Sequence, residues 1–163
     1  MKQLGAAGVV IAIVTVLSAS GGNVLGSSAP LQSEIEALIL QFGSAMANKN
    51  TTVLENIVAS EITLGNDLAP DEAPTISRSQ FIADLTGMET LLITRWDDSN
   101  IEIVSSTDTQ VIATSIHVHE FTAPDTPGTL RESGNMEYTF IREGGGWRLS
   151  KTILNNYRKE VAG

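Results

Sequence analysis

The apolar residues of this chain change their spacing near residue 90, and that change limits the folds the chain can adopt. Before this point they recur three or four positions apart, as on one face of an α-helix with its turn of about 3.6 residues. After it they alternate with polar residues, as on the two faces of a β-strand. Helices followed by a run of antiparallel strands predict an α+β fold, with the helices packed on one face of a sheet.

Three helices are expected in the first half of the chain. The first begins near residue 31 and runs for roughly 18 residues before the sequence NKN breaks it. Thr52 and Glu55 have the spacing of a capping box at the start of a second, shorter helix. Ser77 and Gln80 repeat that spacing ahead of a third helix. The apolar stripe of the first helix consists of Leu31, Ile35, Leu38, Ile39, Phe42, Ala45 and Met46.

Four strands are expected in the second half. They lie at about residues 91–104, 110–122, 133–142 and 147–156. The segments between them contain SSTD, APDTPG and EGGG, and the last two have the composition of hairpin turns. Earlier in the chain, EITLGND is interpreted as a short strand, and residues 67–75 as a loop rich in proline and acid.

The N-terminal segment has the layout of a secretory signal peptide. Lys2 is followed by an apolar stretch from Leu4 to Leu17 and then by small residues. We expect residues 1–26 to be removed on export, with cleavage after Ser20 or Gly26, and residues 27–30 to form a linker. The mature protein would then be secreted or periplasmic. The alternative is an uncleaved anchor, but the apolar stretch is short for a membrane-spanning helix.

The overall charge and the lack of cysteine exclude several classes of function. Ten basic and 19 acidic residues give a net charge of -9. This argues against a nucleic-acid partner, because binding to phosphates needs clustered Lys and Arg. Without cysteine the chain has no disulfide, no catalytic thiolate and no thiolate zinc site. No cofactor is indicated, and no membrane contact is expected once the signal peptide is removed.

Both histidines of the chain lie in the stretch SIHVHEF. In a strand His117 and His119 share one face, and that set suits a pocket wall, although a solvated sheet face is the alternative. A metal site is a third interpretation, but zinc needs three or four ligands, there is no third histidine, and Glu120 points to the opposite face. The other residues on the histidine face are Val111, Ala113, Ser115 and Phe121.

Two long segments resemble the SnoaL-like group of the nuclear transport factor two-like superfamily. RWDDSNIEIVSSTDTQVIATSIHVHEF resembles the paired strands of that family, and GNMEYTFIREGGGWRLSKTIL resembles its closing hairpin. The resemblance covers residues 31–158 as one domain and leaves 159–163 as a C-terminal tail. It implies a curved, mostly antiparallel sheet of four to six strands wrapped around the first helix, forming a cone or half-barrel with a pocket at its open end.

The family includes dehydratases, isomerases and cyclases, of which the dehydratase- and isomerase-like members perform acid–base chemistry in that pocket, beside many proteins that catalyse nothing. His119, or His117 if the register is one pleat off, matches the late-strand histidine of the family. His119 is the expected base, with Tyr138 supplying a phenol and Asp97, or its neighbour Asp98, a carboxylate. Other pattern positions differ: Trp96 stands in place of the first family histidine. Residues Asn48 and Asn50 stand where an acid is wanted. The residues expected to line the pocket are Trp96, His117, Phe42 and Met46.

Two functions therefore remain open. The first is an acid–base enzyme acting on a small apolar molecule, with His119 preferred over His117 because it lies nearer the open end of the cone. The second is a non-catalytic module that binds a ligand or dimerises. A homodimer is expected in either case, because Ile112, Ile116 and Val118 form an apolar set on the opposite face of the strand.

Overall fold

The computed structural model describes residues 29–68, 73–123 and 128–162. The expected signal peptide lies outside the described residues. Of the expected linker, Ala29 and Pro30 already belong to the first helix. No helix in the described ranges is both long and apolar enough to cross a lipid bilayer.

Three helices pack on one open, mixed sheet of six strands, as the α+β prediction requires. The helices are α1 (Ala29–Ala47), α2 (Thr51–Ile57) and α3 (Arg78–Gly87). The strands are β1 (Val58–Asn66), β2 (Thr75–Ser77), β3 (Leu92–Ser106), β4 (Gln110–Thr122), β5 (Thr129–Glu143) and β6 (Gly146–Ala162). Their order across the sheet is β2-β1-β6-β5-β4-β3, and only the β1–β6 pair among these strands is parallel.

The main core lies between α1 and the inner face of the long strands. Helix α1 contributes Ile35, Ile39 and Phe42, all buried. The face of β4 that carries both histidines is the inner one, since Val111 and Ala113 are buried in the same cluster. The predicted pocket face is thus the face that the helices cover. Strand β5 adds Met136, Tyr138 and Phe140 to the cluster.

The opposite face of β4 carries Ile112, Ile116 and Val118, and Ile116 is exposed. This agrees with the premise of the homodimer prediction. The dimer itself stays a prediction.

The helix starts are capped by side chains, but one cap differs from the prediction. The N-cap of α2 is Asn50, whose side chain accepts a hydrogen bond of 3.2 Å from the backbone N–H of Val53. The expected box of Thr52 and Glu55 is therefore wrong. An asparagine side chain is an equally good cap acceptor and stands closer to the break after α1. Ser77 caps α3 as predicted, and its hydroxyl oxygen accepts a hydrogen bond of 3.2 Å from the backbone N–H of Gln80.

Strands β5 and β6 form a longer hairpin than their apolar pattern indicates. They are joined through Gly144 and Gly145, both with positive φ, as the EGGG turn predicts. Their pairing continues to Thr129 opposite Ala162. Residues 159–162, expected as a C-terminal tail, are thus the end of β6. The polar sequence there gives no sign of a strand. The strand forms because its backbone pairs with β5.

A bulge in β3 decides which of its side chains face the core. The pairing with β4 shifts between Ser99 and Glu102, and Asn100 in this bulge has a φ of 52°. The side-chain amide of Gln32 on α1 bonds the strand just beyond it. Its Nε2 donates to the carbonyl of Ile101 at 2.9 Å, and its Oε1 accepts from the N–H of Ile103 at 3.2 Å. One extra residue in a strand reverses the faces of all residues on one side of it.

Candidate functional site

The inner face of β3 and β4 brings two pairs of polar side chains together near one end of the sheet. Asp98 stands opposite His117, and Trp96 stands opposite His119. Residues directly opposite on neighbouring strands have their Cβ atoms about 5 Å apart, so both pairs are in contact range. The side chains of Asp98 and His117 are 1% and 0% exposed. A carboxylate and an imidazole thus lie inside the apolar core.

The carboxylate of Asp98 accepts hydrogen bonds from four side chains. Its Oδ1 accepts from the hydroxyl of Ser115 at 2.6 Å and from the phenol of Tyr138 at 2.7 Å. The same oxygen lies 3.0 Å from Nδ1 of His117. Its Oδ2 accepts from the indole N–H of Trp96 at 3.1 Å. Strands β3, β4 and β5 all supply partners, so the sheet register fixes this arrangement.

These partners keep Asp98 ionised. Burial by itself raises the pKa of a carboxyl, because it removes water from the charged form. Here the hydrogen bonds from His117, Ser115 and Tyr138 outweigh burial and hold the pKa of Asp98 below its usual range. The effect on Tyr138 is opposite: burial and the adjacent charge of Asp98 raise the pKa of its phenol well above the usual value.

The chain of polar contacts continues from His117 towards the surface. Nε2 of His117 lies 3.0 Å from Nδ1 of His119. Nε2 of His119 lies 3.2 Å from Oε2 of Glu132 on β5, and these two side chains are 15% and 16% exposed. The contacts therefore run from Tyr138 and Asp98 in the core, through both imidazoles, to a carboxylate in contact with solvent.

Glu132 is held by two further groups from β6. The phenol of Tyr157 donates to its Oε1 at 2.8 Å, and Nζ of Lys159 lies 3.2 Å from the same oxygen. Burial raises the pKa of Glu132, but the contacts with His119, Tyr157 and Lys159 more than offset it and lower the pKa to about 2. In return, burial and the Glu132 carboxylate raise the pKa of Tyr157.

Acid should destabilise the fold through Glu132. Because its folded-state pKa is depressed to about 2, the contribution of Glu132 is complete above about pH 5 and is lost as the pH falls towards 2. The shift corresponds to about 3 kcal/mol, an order-of-magnitude value. In urea unfolding at about pH 5 and about pH 3, E132Q should lose this part of the pH dependence. The control E137Q, on the same strand, should keep it; equal slopes in both variants would contradict this assignment.

Trp96 fills the space between α1 and the two histidines. Its ring meets that of Phe42 edge-on at 5.8 Å and stacks on His119 at 5.2 Å. The helix comes so close that a Cβ added at Gly43 would lie 2.3 Å from the indole Cδ1. On its other side His119 stacks on Phe121 at 5.6 Å. The imidazole of His119 is therefore held between two aromatic rings.

The structure brings together most of the residues that the sequence indicated, in altered roles. His119 lies at the exposed end of the polar chain, as expected, and His117 is buried behind it. Tyr138 is also buried, and its hydroxyl donates to Asp98, so it faces the core. Phe42 and Met46 belong to the packing around α1.

The structure places Asp97 away from the histidines. Its side chain is 56% exposed on the outer face and pairs with Arg95. The neighbouring Asp98 is the carboxylate that meets the histidines. The bulge at Asn100 explains the difference, because it turns Asp98 and Trp96 inward on one side while Ile101 and Ile103 face the core on the other.

Four residues of the site were not singled out from the sequence as functional: Ser115, Glu132, Tyr157 and Lys159. Ser115 could have been found, since it shares the inward positions of β4 with both histidines. The other three depend on the pairing of β5 with β4 and β6. No apolar alternation marks that end of either strand.

A metal ion is not an evident part of this arrangement. Among residues 29–68, 73–123 and 128–162, no group of three or more His, Asp or Glu side chains is placed to hold one. The imidazole nitrogens instead contact carboxylates and each other.

The fold is that of the nuclear transport factor 2-like (NTF2-like) proteins, as the sequence resemblance implied. An NTF2-like protein from Cytophaga hutchinsonii aligns with a TM-score of 0.58 at 12% identity, over 76% of this chain and 96% of its own. A proposed scytalone dehydratase from Novosphingobium aromaticivorans gives a TM-score of 0.64 at 16% identity, over 80% and 87% of the two chains. A proposed aromatic ring hydroxylase from the same species gives 0.64 at 9% identity, over 79% and 92%.

At these identities the likeness establishes the fold and leaves the reaction open. No protein-family model matches the sequence, and no curated protein matches it either.

Proposed function

We propose that this chain is an exported acid–base enzyme of the lyase, isomerase or cyclase type, acting on a small, largely apolar molecule. His119 is the group that exchanges a proton with the substrate. The observation that supports this most is the continuous polar chain from Asp98 through His117 and His119 to Glu132. Export rests on the apolar N-terminal segment of the sequence alone.

The energetic cost of the polar chain argues that it has a use. The carboxylate of Asp98 and the imidazole of His117 lie within a core that apolar residues would fill at no desolvation cost, and His119 and Glu132 are largely buried beside them. A fully bonded network of this kind fixes the geometry of its members tightly. Clusters of ionisable groups with perturbed pKa values, here Asp98 and Glu132, occur preferentially at functional sites.

The surroundings of His119 suit proton transfer with an apolar molecule. Its ring is clamped between Trp96 and Phe121, and its Nε2 edge points to the solvent-contacting Glu132. Apolar rings on both sides favour an apolar substrate, which would lie against them and reach Nε2. Removal of a proton next to a carbonyl is the elementary step that such dehydratases and isomerases share.

The name of one structural neighbour is consistent with this class. The Novosphingobium protein with the same fold is a proposed scytalone dehydratase. A dehydration needs a base to take a proton and an acid to protonate the leaving hydroxyl. His119 belongs to a histidine pair with a carboxylate at each end, and such a histidine can act as the base and as the acid of a dehydration.

Replacing His119 by glutamine should abolish proton exchange with a simple substrate. The assay follows deuterium incorporation next to the carbonyl of cyclohexanone and 2-tetralone in heavy water, by proton NMR. We expect the wild-type rate to exceed the uncatalysed rate, and H119Q to be at least about 100-fold slower, because a positioned base contributes about 10²–10⁴ in rate. E120Q is the matched control, since Glu120 is adjacent in sequence but pairs with Arg95 on the outer face.

Deuterium exchange that is no faster with the wild-type protein than in buffer would contradict the enzymatic function. Equal exchange rates with wild type and H119Q would contradict it as well. The second candidate, a non-catalytic binding module, then takes its place. It is favoured by the packing of Trp96 over Gly43, which leaves the indole in the space where the family pattern expects a pocket. Binding of 2-tetralone to wild type without deuterium exchange would identify that function.

A further inference from the structure

We propose that His117 and His119 share one extra proton, so that the two rings act as a single proton-transfer unit held between Asp98 and Glu132. Its use in catalysis rests on the proposed function. The shared proton itself rests on the geometry alone. Glu132 and Asp98 are positioning residues in this unit, because they act through the imidazoles.

Three contacts along the polar chain each need one proton. Nδ1 of His117 faces Asp98 at 3.0 Å, and Nε2 of His119 faces Glu132 at 3.2 Å. A nitrogen lone pair pointing at a carboxylate oxygen is repelled, so each of these nitrogens carries a proton. The two remaining nitrogens face each other at 3.0 Å. Two lone pairs at this distance repel as well, and a third proton between them turns the contact into a hydrogen bond.

Two neutral imidazoles supply only two N–H groups, one on each ring. The three contacts need three, so the pair holds one proton more than its neutral form. The alternative is to protonate a carboxyl. Asp98 already accepts from Ser115, Tyr138 and Trp96, and Glu132 from Tyr157, beside the ammonium of Lys159. Both carboxyls are surrounded by donors, which favours the ionised form of each.

The charges around the pair are balanced by the extra proton. Two carboxylates, one ammonium and one singly protonated histidine pair together carry no net charge, as a partly buried cluster requires. The groups that face the pair are Trp96 and Asp98 from β3, Ser115 and Phe121 from β4, Glu132 and Tyr138 from β5, Tyr157 and Lys159 from β6, and Phe42 from α1.

The shared proton would let the unit serve as acid and then as base. When Nε2–H of His119 gives its proton to a substrate oxygen, that N–H bond breaks and an O–H bond forms. The shared proton then moves fully onto Nδ1 of His119, and the pair becomes neutral. Nε2 now carries a lone pair and can remove a proton from a substrate carbon, which restores the starting state. No other donor or acceptor is needed.

Nitrogen NMR on protein labelled at histidine tests the shared proton without any substrate. The chain has only two histidines, so four ring nitrogens are observed. At neutral pH we expect His117 Nδ1 and His119 Nε2 to be fully protonated. His117 Nε2 and His119 Nδ1 should show intermediate shifts and a coupling to each other through the hydrogen bond. An unprotonated Nε2 of His119 at neutral pH, or facing nitrogens that both lack a proton, would overturn the proposal.

A pair of variants separates the charge of Glu132 from its size. E132Q removes one of the two carboxylates that favour the extra proton, so Nε2 of His119 should lose its proton at neutral pH, while Nδ1–H of His119 still donates to Nε2 of His117. E137Q removes a carboxylate of β5 that pairs with Lys151 on the outer face, and Nε2 of His119 should stay protonated. A fully protonated Nε2 of His119 in E132Q would show that Glu132 does not position the proton. Failure of the deuterium exchange assay leaves these spectra unchanged, so the two proposals fail separately.

Discussion

Replacing Asp98 by alanine should lower the free energy of unfolding by about 3–5 kcal/mol, the loss expected when one partner of a buried charged network is removed. The carboxylate is 1% exposed and accepts from four side chains. Its removal leaves the hydroxyls of Ser115 and Tyr138 and the ring of His117 without their acceptor, inside the core. Urea unfolding at neutral pH measures the difference.

The adjacent residue is the control. Asp97 is 56% exposed and pairs only with Arg95 on the outer face, so D97A should change the stability by less than about 1 kcal/mol. Both variants remove the same chemical group from neighbouring positions of one strand. Similar losses for D97A and D98A would mean that the bulge in β3 is misplaced and that Asp98 does not face the histidines.

The general fold could be predicted from the sequence because spacing and turn chemistry are local properties. The change from helical to alternating periodicity predicts the three helices and the long strands, and EGGG predicts the last hairpin. The two faces of β4 follow from the same alternation, with His117 and His119 on the side of Val111 and Ala113, but alternation alone leaves open which face is the inner one. These predictions need no knowledge of what each strand pairs with.

The choice between Asp97 and Asp98 could not be made in this way. Strict alternation counted back from Ile101 and Ile103 places Asp97 inward. The bulge at Asn100 adds one residue and reverses the face, so Asp98 is inward instead. An asparagine tolerates the positive φ that this bulge needs, but many asparagines in strands adopt no such conformation. Sequence alone therefore does not locate the bulge.

Glu132 was not predicted, for a different reason. It stands opposite His119 on one side and Lys159 on the other, in parts of β5 and β6 where polar residues predominate. The pairing of β5 with its neighbouring strands decides which side chains these residues meet. That register depends on the assembled sheet and not on the local sequence. The outer end of the polar chain thus appears only when the sheet is assembled.

Replacing Gly43 by alanine should destabilise the protein, although the same change usually stabilises a helix. Alanine exceeds glycine in helix propensity by about 1 kcal/mol. At Gly43, however, the new Cβ would lie 2.3 Å from Cδ1 of Trp96, and the indole is held in place by Phe42 and by its bond to Asp98. Overpacking of this kind costs about 1–3 kcal/mol, so the net effect should be a loss.

Gly87 near the end of α3 has no atom within 4 Å of an added Cβ, and G87A should be neutral or stabilising.

A double-mutant cycle then tests whether Trp96 is the obstacle. W96A alone should destabilise by about 3–5 kcal/mol, since a large packed ring is lost. In the W96A background G43A should cost nothing or restore some stability, because the added methyl then points into space that the ring has left. The coupling between the two changes should therefore exceed about 1 kcal/mol, with the double variant more stable than the sum of the single losses predicts. Additive losses would show that α1 does not rest on the indole. Gly43 would then not set the position of the indole, and the close packing of Trp96 on α1 would no longer favour the non-catalytic alternative.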